Sequence, residues 1–270
     1  MAGEIHPPFD LNGRVALVTG GGSGLGVEFC DALAEFGADV ASCDRRKAHV
    51  EETCQMISKY GHKTLALGVD VSKYDQVQAM FKQVEDTFGR LDILVNNAGV
   101  TTQGTVIDQI DISEWHRVID IDLHGVFYCM KEGLKTMMKQ KKGSIINIGS
   151  TVGVLGLDPD IEPLAPYVTA KSAIIGLTKQ GAAEYARHGI RINCIAPGWH
   201  NDTRLAENAG VRATEDELKA FDQSKIIPRT PMRRRGERGE LRGLLLYLAS
   251  DASTFLTGQT INHDGGWTCV

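Results

Sequence analysis

The 270-residue sequence predicts a single doubly wound α/β domain built on a parallel sheet. Short apolar runs alternate with longer amphipathic stretches along the whole chain, and the runs are apolar at nearly every position. Such runs are typical of strands buried on both faces, and strand–helix alternation implies right-handed crossovers between parallel strands. We therefore expect a Rossmann-like sheet of about seven strands with helices on both faces.

The predicted strands are "RVALVT" (14–19), "DVASC" (39–43), "KTLALGV" (63–69), "DILVNNAG" (92–99), "SIINIG" (144–149), "IRINCIA" (190–196) and "QTINHD" (259–264). Helix starts are predicted where a pair of residues resembles a capping box, as in Ser72 with Asp75, Asp111 with Glu114, and Thr214 with Glu217. Glycines at positions 37, 61, 89 and 189 lie where helices are expected to end.

Residues 1–270 are predicted to form one domain, because no linker, repeat or low-complexity tract divides them. The segment at about 198–225 breaks the strand–helix rhythm between the sixth strand and the next helix. Long excursions of this kind are usually functional, so we expect a lid over the substrate. The alternative is a surface insertion.

Composition excludes several classes of function. The net charge of −5 gives no electrostatic footprint for nucleic acid. No apolar run approaches the ~20 residues that span a bilayer, and "MAGEIHPPFDLNGR" lacks the apolar segment of a secretory signal, so we expect a soluble, cytoplasmic protein without a membrane partner. The six cysteines lack Cys-x-x-Cys spacing and the eight histidines lack ligand spacing, which argues against disulfides and a metal site.

One stretch, "PMRRRGERGELR", places five arginines within ten residues, from Arg233 to Arg242. They could bind an anion or contact a partner subunit. We favour a solvated turn and helix face in which Glu237 and Glu240 balance the charge.

A glycine-rich loop joins the first strand to the first helix in "VALVTGGGSGLGVEFCDALAEFGADV". The pattern is Thr19-Gly20-x-x-x-Gly24-x-Gly26, in which glycines allow a tight turn and a close approach of the backbone to a pyrophosphate at the helix N-terminus. The loop lacks the Gly-Lys-Ser/Thr of a nucleoside triphosphate site. This combination predicts a dinucleotide site.

The second strand ends at Asp44, where a carboxylate can accept hydrogen bonds from an adenosine ribose and repel a 2′-phosphate. Ser23 supplies no basic anchor for such a phosphate inside the loop. Arg45 and Arg46 follow Asp44 and could instead attract a 2′-phosphate. We expect NAD, with NADP as the less favoured alternative.

Four motifs occur in order: "TGGGSGLG", "NNAG" (96–99), "NIGS" (147–150) and "YVTAK" (167–171). Their order and spacing resemble the short-chain dehydrogenase/reductase family over residues 9 to 268. The resemblance implies hydride transfer between a nicotinamide and a carbonyl or secondary alcohol carbon. It also implies a homo-oligomer, commonly a tetramer, built on helices like those predicted at 113–138 and 165–188.

The resemblance assigns a role to each matching residue. The substrate oxygen is held by Ser150, its proton is exchanged by Tyr167, and Lys171 binds the nicotinamide ribose and lowers the pKa of the tyrosine. Contacts with the cofactor are implied for Gly20, Gly22, Ser23, Gly24, Leu25, Gly26, Asp44, Arg45, Asp70, Val71, Asn97, Ala98, Gly99, Tyr167, Lys171, Pro197, Gly198, His200 and Thr203.

Side-chain chemistry supports the catalytic assignment independently. Tyr167 and Lys171 are four residues apart, so they share one face of a helix. A free tyrosine has a pKa near ~10, and a nearby ammonium favours the phenolate. A fixed hydroxyl such as that of Ser150 stabilises negative charge that develops on a carbonyl oxygen.

The sequence departs from the family pattern in three places. Asp122, in "VIDIDLHGVFYC", stands where the family usually has a catalytic asparagine, and we expect it to keep the proton relay and shift its pH dependence. The loop "LGLDPDIEPLAP" carries Asp158, Asp160 and Glu162, which either bind a polyol or, as we favour, are solvated. In the long "PGWHNDT", any of His200, Asn201 and Thr203 could face the cofactor amide.

We therefore predict an NAD-dependent secondary alcohol dehydrogenase or ketone reductase. Sugar acids, polyols or cyclic alcohols are the favoured substrates by analogy. The alternative enzyme is a 3-oxoacyl reductase acting on an acyl carrier protein or coenzyme A with NADPH. The alternative from another class is a non-catalytic NAD sensor.

Overall fold

The computed structural model describes residues 8–102, 104–201, 203, 205 and 214–270. Within them the strands are β1 (Val15–Thr19), β2 (Asp39–Asp44), β3 (Thr64–Gly68), β4 (Ile93–Asn96), β5 (Gly143–Ile148), β6 (Ile190–Pro197) and β7 (Thr260–His263). They form one parallel sheet in the order β3-β2-β1-β4-β5-β6-β7. The predicted seven-stranded Rossmann-like fold is confirmed, and the strand order reverses between β1 and β4, where such sheets bind ligands.

The α-helices in the described residues are α1 (Gly24–Glu35), α2 (Lys47–Ile57), α3 (Tyr74–Phe88), α4 (Ile112–Ile119), α5 (Gly125–Gln140), α6 (Ala165–Tyr185), α7 (Glu215–Phe221) and α8 (Arg242–Ala249). The helix predicted at 113–138 is interrupted by a π-helical turn at Asp120–His124, which links α4 to α5. Such turns are frequent at functional sites, and this one contains Asp122.

Both faces of the sheet are buried, which explains why the strands are apolar at successive positions. On β1, Val15 and Leu17 pack into the layer formed with α3, α5 and α6. The intervening Ala16 and Val18 pack into the opposite layer, which contains buried residues of α1 and α8. Because these layers cover both faces of the sheet, the loops that follow the strands gather at the carboxyl ends of the strands.

The predicted helix starts have three outcomes. The capping box of Thr214 and Glu217 is confirmed at the start of α7. Asp111 caps α4 by accepting from the amide of Ser113, but Glu114 pairs with Arg117 instead of closing the box. The capping box predicted at Ser72 is wrong, because the hydroxyl and amide of Ser72 both donate to the carboxylate of Asp70. Helix α3 begins after Lys73.

The arginine-rich stretch is charge-balanced by carboxylates of the protein itself. The ion pairs are Arg234 with Glu240, Arg235 with Asp222, Arg238 with Glu28, and Arg242 with both Asp31 and Glu35. Arg233 donates to the carbonyl oxygen of Pro228. These contacts match the favoured interpretation of a solvated, charge-balanced turn and helix face.

Part of the expected lid lies outside the described residues, namely positions 202, 204 and 206–213. The described part contains α7 and the π-helical turn Asp222–Ile226, from which Ile226 packs with Trp199 and Trp267. Its function as a lid stays a prediction. Among the described residues, no helix is both long enough and apolar enough to cross a membrane.

Candidate active site

A cleft runs along the carboxyl ends of the central strands, where β1 and β4 diverge. Most predicted site residues line it: Gly20, Ser23, Leu25, Asp44, Arg45, Asp70, Val71, Asn97, Ala98, Gly99, Ser150, Tyr167, Lys171, Pro197, Gly198 and Thr203. The predicted residues that do not line it are Gly22, Gly24, Gly26, Asp122 and His200. The fold therefore gathers residues from seven segments of the chain at one edge of the sheet.

The glycine loop packs too tightly to accept side chains at several of its positions. A Cβ atom at Gly26 would lie 2.1 Å from the carbonyl oxygen of Gly20, so only glycine lets α1 begin directly beneath the loop. A Cβ atom at Gly22 would lie 3.0 Å from the carboxyl group of Asp44. Ser23 precedes α1 without capping it through its side chain, which leaves the first amides of the helix available to an anion.

Hydrogen bonds between β1 and the end of β4 hold the loop in place. The hydroxyl of Thr19 accepts from the amides of Asn97 at 3.1 Å and Ala98 at 3.0 Å. The side-chain amide of Asn97 donates back to the carbonyl oxygens of Thr19 and Gly20, at 3.0 and 3.2 Å. Thr53, on α2, donates to the carbonyl oxygen of Gly21 at 2.9 Å. The side chain of Asn97 thus stabilises the glycine loop, a structural role that the "NNAG" motif did not indicate.

One end of the cleft is lined by Asp44 and by the two arginines that follow it in the chain. Asp44 lies at the end of β2, and its Oδ1 accepts from the amide of Arg46 at 2.9 Å. Arg45 and Arg46 are exposed, and both line the cleft. Farther along, Asp70 accepts from the amide and hydroxyl of Ser72, at 3.0 and 2.7 Å, which orders the turn after β3.

The opposite half of the cleft holds the serine and the tyrosine. Ser150 follows β5, and its hydroxyl accepts from the amide of Val152 at 3.3 Å. Tyr167 lies in the first turn of α6, is 8% exposed, and lines the cleft together with Ser150. A hydroxyl and a phenol therefore meet on the same side of the cleft, as predicted.

Lys171 lies one turn beyond Tyr167 on α6 and is buried between three groups. Its Nζ donates to the carbonyl oxygen of Ile148 at 3.1 Å and lies 5.3 Å from the centre of the Tyr167 ring. Oδ2 of Asp122 is 3.2 Å from the same Nζ. Asp122 is fully buried, and its Oδ1 accepts from the amide of Val100 at 2.8 Å.

The protonation of these groups is set by burial and by one another. Burial raises the pKa of Tyr167; Lys171 and the hydrogen bond with Ser150 oppose the rise, whereas Asp122 adds to it. Lys171 therefore acts on the tyrosine in the direction that the sequence predicts, although burial outweighs its effect on this pKa. Burial disfavours the ammonium of Lys171, but Asp122 and Tyr167 together oppose burial, and its pKa is raised. Burial likewise raises the pKa of Asp122 against the influence of Lys171.

Of the three residues that could face the cofactor amide, Thr203 lines the cleft. His200 is buried, with Nδ1 3.2 Å from the carbonyl oxygen of Gly198 and Nε2 3.2 Å from Nδ1 of His263. Asn201 donates to Glu237 at 3.2 Å. His200 therefore supports the turn at Gly198 from behind.

The acidic loop before Tyr167 is only partly solvated. Asp158 is exposed and pairs with Arg229 at 3.2 Å. Glu162 is partly buried, and burial raises its pKa. Leu157 packs both with the group that contains Tyr167 and with the group that contains Trp199. The loop thus packs against the group around Tyr167 through Leu157 and carries Asp158 at the surface.

Sequence reasoning missed several residues that line the cleft, among them Val100, Arg117, Ile121 and Leu205. Val100 directly follows the "NNAG" motif, and Arg117 and Ile121 share a helical face, so neighbouring positions offered a signal for those three. The described residues contain no group of three or more His, Cys, Asp or Glu side chains that could hold a metal ion.

Comparison with known proteins identifies the family of this chain. The family model described as short chain dehydrogenase matches residues 14–214. The chain belongs to the short-chain dehydrogenase/reductase family. Members of this family are oxidoreductases that use a nicotinamide dinucleotide, NAD or NADP. The chain is accordingly an oxidoreductase of this family, with a nucleotide-binding fold.

Three relatives illustrate the range of activities. A 3-oxoacyl-(acyl-carrier-protein) reductase of Staphylococcus epidermidis is 38% identical over 94% of this chain and 98% of its own. Sorbose reductase of Candida albicans is 38% identical over 97% of this chain and 89% of its own. A gluconate 5-dehydrogenase of Burkholderia cenocepacia, solved in complex with NADP and tartrate, has a TM-score of 0.87 and 35% identity, covering 97% of this chain and 98% of that one.

The residues of the cleft fit a dinucleotide. Gly22 keeps a side chain out of the region beside Asp44, and the uncapped start of α1 suits a pyrophosphate. The same cleft continues without interruption to Ser150 and Tyr167.

Proposed function

We propose that the protein interconverts a secondary alcohol and a ketone, with NAD as the cofactor and Tyr167 as the general acid and base. The observation that carries the proposal is the meeting of Ser150, Tyr167 and Lys171 in one half of a cleft whose other half holds the glycine loop and Asp44. Binding alone would need neither the hydroxyl of Ser150 nor the phenol of Tyr167, so this arrangement argues against the alternative of a non-catalytic sensor.

The dinucleotide, when bound, supplies or accepts a hydride at its nicotinamide. The start of α1 would hold its pyrophosphate, Asp44 its adenosine ribose, and Lys171 its nicotinamide ribose. The adenine would lie beside Asp70 and Val71, and the nicotinamide amide beside Pro197, Gly198 and Thr203. Asn97, Ala98 and Gly99 would contribute main-chain contacts.

The side chains of this protein would then manage the oxygen and its proton. The Ser150 hydroxyl donates to the substrate oxygen and stabilises the negative charge that develops there. In ketone reduction, the Tyr167 O–H bond breaks and its proton passes to that oxygen. In alcohol oxidation, the phenolate takes the hydroxyl proton. The Lys171 ammonium, 5.3 Å from the ring, stabilises the phenolate in either direction.

Our preference for NAD rests on Asp44, because its carboxylate would repel the 2′-phosphate of NADP. Arg45 and Arg46 line the same end of the cleft and support the alternative, as does the gluconate 5-dehydrogenase solved with NADP. The deciding measurement is the ratio of kcat/KM for the two cofactors.

For the substrate, we propose a sugar acid, a polyol or a cyclic alcohol, in line with the sorbose reductase and the gluconate 5-dehydrogenase. The alternative is a 3-oxoacyl thioester, supported by the relative from Staphylococcus epidermidis. The arginine-rich stretch gives that alternative little support, because four of its five arginines already pair with carboxylates of this protein.

We further propose a cytoplasmic homo-oligomer. Ile112 on α4 is 69% exposed and Phe127 on α5 is 45% exposed, an apolar surface that a second copy would cover. Light scattering that gives a monomer mass would contradict this proposal.

The proposed activity is tested by following reduced-nicotinamide absorbance with NAD and with NADP. The substrate panel comprises polyols, sugar acids, cyclic alcohols and a 3-oxoacyl thioester, with ketone and alcohol forms assayed in opposite directions. We expect turnover with at least one alcohol–ketone pair and its loss in Tyr167→Phe. Tight cofactor binding without turnover on any substrate would instead favour the sensor.

A further inference from the structure

Asp122 and Lys171 form an ion pair that is sealed from solvent, with 0% and 4% of the two side chains exposed. Three contacts hold the pair. Oδ1 of Asp122 is fixed by the amide of Val100, Nζ of Lys171 is fixed by the carbonyl oxygen of Ile148, and the charged atoms meet at 3.2 Å. The ammonium beside Tyr167 is therefore permanently matched by a carboxylate.

Few other ionisable groups face this pair. Arg117, on the same helix, acts on Asp122 from a distance, and Cys194 on β6 is a buried thiol that interacts with Lys171. Tyr167 faces Lys171 from the preceding turn of α6. Ionisation of Tyr167 would thus add a second negative charge beside Asp122, whereas the only ammonium in this buried group is that of Lys171.

The position of the ammonium limits how far it can stabilise the phenolate. In a medium of low polarity, each uncompensated charge is costly, so a cation already paired with one anion stabilises a second anion less. Asparagine at position 122 would carry no charge and would leave the whole effect of Lys171 to the phenol. The difference between the two side chains is electrostatic rather than steric.

We propose that Asp122 neutralises Lys171 and thereby holds Tyr167 as a protonated phenol at neutral pH, so that the site is set to donate a proton to a ketone oxygen. Asp122 is a positioning residue, since it contacts Lys171 and acts on the phenol by charge rather than by contact. The inference rests on the proposed function, in which Tyr167 exchanges the proton. Alcohol oxidation, which needs the phenolate, is expected to become efficient only at alkaline pH.

In ketone reduction, the reduced nicotinamide would be the source of the hydride. The hydride forms a C–H bond at the carbonyl carbon, while the Tyr167 O–H bond breaks and an O–H bond forms on the substrate oxygen. The resulting phenolate recovers a proton from solvent. Oxidation runs the same bonds in reverse, and it starts only after the phenol has lost its proton.

The test is a pH titration of Tyr167 in the protein without cofactor. Ionisation is followed by the near-ultraviolet absorbance of tyrosine, and the signal of Tyr167→Phe is subtracted as the reference. In the wild type we expect Tyr167 to titrate above ~10, the value of a free tyrosine. In Asp122→Asn we expect the titration to move to lower pH by about one unit or more. Circular dichroism at each pH establishes that the fold persists.

Asp92→Asn is the matched control, because Asp92 is also buried and pairs with Arg90 at 2.7 Å, at the opposite end of β4. This variant is expected to leave the Tyr167 titration unchanged. The wild-type measurement needs only the Tyr167→Phe reference, so a folding failure of Asp122→Asn does not remove the test. A wild-type value at or below that of free tyrosine would overturn the inference, as would an Asp122→Asn titration that coincides with the wild type.

Kinetics provide a second readout on the holoenzyme. We expect Asp122→Asn to shift the pH profile of kcat/KM for oxidation to lower pH by the same amount as the phenol titration. Retained turnover in Tyr167→Phe would contradict the proposed function itself. A normal loss in Tyr167→Phe with an unshifted Asp122→Asn profile would contradict only the role of Asp122.

Discussion

Nζ of Lys171 lies 5.3 Å from the centre of the Tyr167 ring, and the two side chains come from successive turns of α6. The tyrosine can therefore sense the charge of the lysine directly, while the lysine itself is held by groups from β5 and the turn before α5. This relationship makes the phenol the group on which the proposed chemistry depends.

Replacement of Tyr167 by phenylalanine is expected to lower kcat by a factor of about 10² to 10⁴, because the variant keeps the buried ring and loses the transferable proton. Steady-state kinetics measure the loss. Quenching of protein fluorescence by NADH serves as the control and should be unchanged. If kcat stays within a factor of two of the wild type, Tyr167 is not the acid and base.

Replacement of Asp44 by alanine is expected to raise the kcat/KM ratio of NADP over NAD by about tenfold or more, since the repulsion of the 2′-phosphate disappears while Arg45 and Arg46 remain. Asp70→Ala, in the next loop of the cleft, is the comparison and should weaken both cofactors alike. An unchanged ratio in Asp44→Ala would remove the basis for our preference for NAD.

Replacement of Gly26 by alanine is expected to weaken cofactor binding at least tenfold and to lower the melting temperature, because the new Cβ atom would lie 2.1 Å from the carbonyl oxygen of Gly20. Calorimetric titration and thermal unfolding measure the two effects. Gly176→Ala is the control, since no heavy atom lies within 4 Å of its added Cβ on α6. That variant should be stabilised by about 0.5–1 kcal/mol; equal behaviour of both variants would contradict the steric argument.

Stability is expected to fall in acid through His200. Burial lowers the pKa of this residue, and His263 acts in the same direction. Since the unfolded chain binds the proton more readily, the contribution of His200 is complete above its unfolded pKa of about 6.5 and is lost as the pH falls below that value. Melting temperatures from pH 8 to about 5 should fall less steeply in His200→Gln than in the wild type. His116→Gln, at an exposed position, should retain the wild-type slope.

Local patterns in the sequence were sufficient to predict the strands, the glycine loop and the shared face of Tyr167 and Lys171. Each depends on spacing along one segment: apolar runs for buried strands, a turn that excludes side chains, and an i, i+4 relation on a helix. The family resemblance then predicted that these segments form one site, and 16 of the predicted site residues line one cleft.

Only the tertiary structure decided how those residues act on one another. Asn97 matches a cofactor motif, but its side chain ties the glycine loop, and His200 faces His263 rather than the cleft. Asp122 meets Lys171 from a distant part of the chain, and burial opposes the lowering of the Tyr167 pKa by Lys171. These outcomes depend on distances and solvent exclusion between segments. A sequence pattern records which residues are present, whereas the charge that each carries is set by what surrounds it.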